Sequence, residues 1–282
     1  MRVRAIKDLC QLTDGDFFSE VAAGLSYILK NVQRLEADSQ FLAERKRPRG
    51  FKILRAIAEE EAAKFLILID AVRCPRKPEE RFVRQLNKFN NHLAKGIYSQ
   101  SCYWRPSSLD KLKEIINSER CDLYLDGPNG VDWIFRNDIE HRRQAMLYVD
   151  YIETEDGHSW LYPPESEEDT PIILQGLTPQ PVQLAEALYN LGVATTEALS
   201  VVANTWRQVI INDQLSWKDL RQLNQQTLIE LQSKGFLCKQ PAETSVMVID
   251  RWQFPLYDVD LDVIHVDKSA LRERQESYWL DY

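Results

Sequence analysis

The 282 residues are 44% hydrophobic and 28% charged, with ten glycines and twelve prolines, which suits one large or two ordinary globular domains and excludes a collagen-like or disordered chain. No run approaches 18 apolar residues, residues 1–8 lack the apolar core of a secretory signal, and the five cysteines form no CxxC pair; a cytoplasmic protein with free thiols and no membrane partner is expected. The net charge of -8 is unevenly spread: residues 1–105 hold 20 Lys and Arg against 13 Asp and Glu, and the remainder holds 15 against 30, so the basic half either meets nucleic acid or complements the acidic half.

Thr13, Asp14 and Asp16 suit the start of a helix from about residue 17 to 44, with Val21, Leu25, Ile28, Leu29, Val32 and Leu35 at helical spacing. Residues 45–50, with Pro48 and Gly50, break it. A second helix over 51–72 is apolar on nearly every side from Phe65 to Ile69, as the central helix of a bundle would be. After residues 74–78, Glu79 and Glu80 open a third helix that runs through Phe82, Leu86, Phe89 and Leu93 toward Ile97. Ser108 opens a shorter one through Ile116, residues 126–130 signal a turn, and 131–146 is expected to be helical. Residues 153–169 read as turns, prolines and acids, with 166–169 a solvated edge. Further helices are expected over 181–199, continuing toward Trp206, and over 216–233, ended near Gly235. Branched residues at 245–249 and 257–264 suit a short β-hairpin within 245–265. The expected fold is all-α, a helical bundle over 1–165 with a C-terminal helical region over 166–282.

The sextet 136–141 carries Arg136, Asn137 and His141. Arginine holds a phosphate through two parallel hydrogen bonds, and histidine moves a proton near neutral pH, so RNA cleavage needs no metal from such a set. Asn137 and His141 share a helix face, whereas Arg136 and His141 diverge by roughly 140° unless the helix begins near the arginine. The plainer reading is a solvated helix face with weak surface pairs. Glu60 and Glu61 stand four and three residues before Lys64 within the apolar second helix, where a partly buried carboxylate requires a partner. A structural ion pair is the commoner reason for this arrangement. His92 and Lys95 share a face and would add a proton carrier and a charge. With four histidines and no repeated Glu-x-x-His, neither a metal nor a cofactor is expected. Tyr98, Tyr103 and Trp104 could stack bases or serve as hydrophobic anchors.

Ala58, Glu60, Glu61 and Lys64 form Ala-x-Glu-Glu-x-x-Lys, His92 and Lys95 form His-x-x-Lys, and Tyr148-Val149-Asp150 is followed by Gly157 and Pro163. In order and spacing, across about residues 18–165, this resembles the AbiV family of phage abortive-infection proteins. The resemblance implies a HEPN-like helical bundle. It also implies an antiphage effector, commonly a homodimer and a metal-independent endoribonuclease, whose Arg-x(4–6)-His site would be Arg136 and His141 with Asn137. RNA (tRNA, mRNA or rRNA) would be the substrate, and Glu60, Glu61, Lys64, His92 and Lys95 would bind it or support the site. Proteins of this family are also associated with blocking translation. The alternative is therefore a non-catalytic effector or regulator that binds a phage protein or a translation component.

Overall fold

The first helix, α1 (Asp14–Glu44), starts where the Thr13 hydroxyl accepts from the Asp16 amide, and its buried stripe is Phe17, Val21, Leu25, Ile28, Leu29 and Val32. The computed structural model describes residues 5–125, 133–134, 137–154, 157–163 and 177–280. Pro48 begins the second helix rather than merely ending the first: α2 spans Pro48–Arg73 with the proline in its first turn, where a missing amide proton costs nothing. Residues 65–73 of α2 are all buried, as expected of a central helix.

The continuous helix expected from Glu79 is broken. α3 (Glu79–Asn87) passes through a 3-10 turn over Lys88–Asn90, and α4 (His92–Ser101) begins anew. Asn91 is the cause: it is extended, and its side chain accepts from the Ala94 amide at 3.0 Å, a bond that competes with helix continuation. The break places His92 in the first turn of α4. Ser108 caps α5 (Leu109–Glu119).

The helix expected over 131–146 is only half present. β1 (Tyr124–Leu125) pairs antiparallel with β2 (Trp133–Ile134), and α6 (Asp138–Leu147) begins after Asn137; the expected turn at 126–130 lies outside the described residues. β3 (Asp150–Thr154) and β4 (Gly157–Leu161) then form an antiparallel hairpin in register Tyr151 to Trp160. The sequence hid it, because residues 153–169 read as turns, prolines and acids.

α7 (Gln180–Asn190) and α8 (Thr196–Trp206) replace the single helix expected there. Gly192 divides them at φ +87°, and a Cβ on it would lie 2.7 Å from the Phe236 carbonyl oxygen. α9 (Trp217–Ser233) carries a capping box from Ser216 and Asp219. No hairpin forms within 245–265: α10 (Ala242–Arg251) occupies the first expected strand, and Ile264 makes one bridge, to Cys121. A short apolar run fits either period, and Pro241 with Glu243 favours a helix start. α11 spans Lys268–Leu280.

One apolar core joins α1 to α5 with α7 to α10, so residues from both sides of the expected division after 165 share it. At its centre Asp70 accepts from Arg73, from the Tyr98 hydroxyl at 2.6 Å and from the Leu256 amide at 2.8 Å. The Arg73 guanidinium lies 4.6 and 5.1 Å from the rings of Trp206 and Trp252 and donates to the Gln253 carbonyl at 3.0 Å. The buried Lys88 ammonium donates to the carbonyls of Leu256 and Val259 at 2.6 and 2.9 Å. Residues 253–259 are thus strapped across α2 and α3 by charge-assisted bonds. Among the described residues, no helix is long and apolar enough to cross a membrane.

Candidate functional site

Glu60 stands on α2 where α4 and α6 converge. Its Oε2 accepts from Lys95 Nζ at 2.8 Å and lies 3.1 Å from His92 Nδ1, and its Oε1 accepts from Arg143 Nε at 2.7 Å. α4 supplies His92 and Lys95, three residues apart on one face, and α6 supplies Arg143. Gly96 sets the approach of the last two helices: a Cβ there would fall 2.1 Å from Ile139 Cγ2, so only glycine lets α6 sit this close to α4.

Charge follows from this geometry. Burial pushes the Glu60 carboxyl up, but the Lys95 hydrogen bond and the charges of Lys95, His92 and Arg143 outweigh it and hold the carboxyl below its ordinary value. His92 is held below the ordinary histidine value by burial and by Lys95 and Arg143, against the pull of Glu60. A carboxylate only accepts, so the neutral imidazole carries its proton on Nδ1 toward Glu60 and leaves Nε2 with a lone pair. The His92 side chain is 44% exposed, while that of Lys95 is 6% exposed.

Beside this hub lies a groove of about 470 Å³, lined among others by Glu59, Glu60, His92, Ser99, Tyr103 and Arg143. Glu59 is partly buried there with its carboxyl pushed up, and it accepts from the Ser99 hydroxyl at 3.1 Å. A larger groove of about 650 Å³ lies between α3 and residues 260–262, where the Lys88 ammonium is already engaged by main-chain carbonyls.

The expected residues therefore separate into groups. Glu60, His92 and Lys95 meet. Glu61 and Lys64 pair with each other on another face of α2, where Asn31 donates to Glu61 at 3.2 Å and the Lys64 ammonium lies 5.4 Å from the Phe89 ring centre. Asn137 is buried as the cap of α6: its oxygen accepts from the amides of Ile139 and Glu140, and its nitrogen donates to the carbonyls of Glu119 and Cys121 at 2.6 and 3.1 Å. All four of its hydrogen-bonding positions are taken. Arg136 lies outside the described residues. His141 does not line the groove; Ile139, Glu140, Arg142, Arg143 and Met146 do, and at about 100° per residue His141 falls on the opposite face of α6. Its Nδ1 is buried without a hydrogen-bond partner among the described residues. Arg143 and Ser99 were not singled out as site residues by the sequence. Arg143 reaches Glu60 across 83 residues, a contact that no local spacing reveals.

A family model described as HEPN_AbiV, AbiV, matches residues 20–172, more than half of the chain. The chain belongs to the AbiV family. It is thus an AbiV-family protein with an all-α, HEPN-like fold, in a family of abortive-infection effectors. The Glu60 hub and α6 both fall within the AbiV match, whereas α7 to α11 lie beyond it. No curated protein matches the chain, and no solved structure does.

Proposed function

We propose that this AbiV-family protein is an antiphage effector that cleaves RNA without a metal, in the groove beside Glu60. The observation that carries the reading is the meeting of a neutral, oriented histidine and two cations on one half-buried carboxylate. His92 Nε2 takes the proton of a ribose 2′-hydroxyl; the 2′-oxygen attacks the adjacent phosphorus, and the P–O5′ bond breaks as the 5′-oxygen takes a proton from water, leaving a 2′,3′-cyclic phosphate and a free 5′-hydroxyl. Arg143 is the cation placed to turn from Glu60 to the phosphate, and Lys95 then keeps Glu60 neutralised. Glu60 fixes the imidazole tautomer, the role an orienting carboxylate plays beside a catalytic histidine.

A second reading places the chemistry on Arg136 and His141, gathered across a homodimer with Asn137 fixing the start of α6. The unpartnered His141 Nδ1 favours it. The test is cleavage of labelled tRNA, mRNA and rRNA in EDTA-containing buffer by wild type, His92→Gln, Arg143→Ala and His141→Ala. We expect His92→Gln to lose about a hundredfold or more in rate, Arg143→Ala to lose activity with weakened RNA binding, and His141→Ala to keep it. The reverse pattern moves the site to Arg136 and His141. A wild-type protein that binds RNA without cutting it, or ignores it, leaves the non-catalytic effector that engages a phage protein or translation component.

A further inference from the structure

The β3–β4 hairpin carries an aromatic face that the proposed chemistry does not use. Tyr151 and Trp160 are directly paired across the two strands, with ring centres 5.0 Å apart, and His158 stacks on Tyr151 at 5.7 Å and 19°. Strand alternation puts the three rings on one face. That face is open: Trp160 is 70% and Tyr151 59% exposed, and the flanking Tyr148 and Tyr162 are exposed as well. Contiguous exposed aromatic surface of this kind marks an interaction site rather than a core.

The charge of the segment selects the partner. Residues 148–163 contain Asp150, Glu153, Glu155 and Asp156 and no Lys or Arg, in a half of the chain that carries 30 acids against 15 bases. Nucleic-acid phosphates and anionic lipid headgroups are repelled by such a segment. A guanidinium or ammonium is attracted twice, by the net negative charge of the segment and by the faces of the Trp and Tyr rings. We propose that the hairpin is a docking surface for a Lys- and Arg-rich segment of a partner protein, held by cation–π contacts on Trp160 and Tyr151. The inference is independent of the RNA-cleavage reading, because the hairpin lies outside the groove.

The test is fluorescence anisotropy of a labelled Arg-Gly repeat peptide with the full-length protein and with Trp160→Ala, Tyr151→Ala and the double variant. A Glu-Gly repeat peptide and oligo(U) serve as comparisons. These substitutions keep every acid, so they separate ring contacts from bulk charge. Both rings are exposed, and circular dichroism checks that the fold is kept. We expect the double variant to bind the basic peptide roughly tenfold more weakly, Trp160→Phe to recover part of the loss, and the Glu-Gly peptide not to bind. Unchanged affinity in the double variant overturns the proposal. So does oligo(U) binding that depends on Trp160, which would make the face a base-stacking platform, or a change in self-association on gel filtration, which would make it a contact between copies of this chain.

Discussion

Glu59 and Glu60 are neighbours on α2, yet their surroundings drive their carboxyls in opposite directions. Burial raises Glu59, and the Ser99 hydroxyl and Arg55 only partly offset it. Burial also raises Glu60, but Lys95, His92 and Arg143 more than reverse it. The stability contributions therefore have opposite signs. Glu60, depressed in the folded state, contributes stability above the ordinary glutamate pKa, and that stability is lost as pH falls through the folded value. Glu59, raised in the folded state, is a penalty that grows as pH rises past the ordinary value. Thermal melts near neutral pH should show Glu59→Gln more stable than wild type and Glu60→Gln less stable. The Glu59 difference should shrink as pH falls toward about 4, and the Glu60 difference only below that; two substitutions with the same sign near neutral pH would contradict this account. His92 offers a second check. Its pKa lies below the ordinary histidine value, so base-dependent cleavage should rise with pH through that lowered value and level off near neutrality. Glu60 pulls the value upward, so Glu60→Gln should lower it further; an NMR titration of His92 that moved upward would refute the pairing. At this scale Glu60, His92 and Lys95 were legible as short spacings within single helices, and Arg143 was not.

The elements decide where those side chains arrive. Asn137 ends the β2 region, caps α6 and ties its start to the carbonyls of Glu119 and Cys121. Asn137→Ala should cost about 1–3 kcal/mol in urea unfolding, from a lost cap and two carbonyls left without a donor. Because α6 carries Arg143, any cleavage activity should fall with it. Asn137→Ser, which keeps a capping oxygen, should recover part of the stability but not the bonds to the carbonyls; a serine variant no better than alanine would remove capping from the explanation. The long α1 and α2 were readable because many apolar positions repeat at one period. Asn91 and Gly192 each break an expected helix, and Asn137 sets where α6 begins, through a side chain or a backbone angle that periodicity does not record. The hairpin expected within 245–265 failed for the complementary reason: five apolar or branched residues carry too little period to tell strand from helix.

Across the whole molecule, the buried Asp70 joins α2, α4 and the strap at residues 253–259. Asp70→Ala would leave the Arg73 charge buried between two tryptophans, and breaking a buried pair in this way costs about 3–5 kcal/mol. Urea unfolding followed by tryptophan fluorescence should show a loss of this order; a change under about 1 kcal/mol would mean that the pair behaves as a surface one. The helical class and the central place of α2 could be read from composition and pattern. The strap could not, since it depends on one aspartate meeting an amide 186 residues later.

That separation has a consequence for how the protein comes into being. Synthesis proceeds from the N-terminus, and segments fold as their partners emerge. α2 and α4, which carry the Glu60 hub, also carry Asp70 and Tyr98; these two can bond to each other early, but the bond from the Leu256 amide to Asp70 closes only once residue 256 is in place. A chain still on the ribosome, or one cut short before the strap, would hold every residue of the groove without the strap's bonds to Asp70, Arg73 and Lys88. This ordering confines the completed Asp70 network to chains whose synthesis has passed the strap.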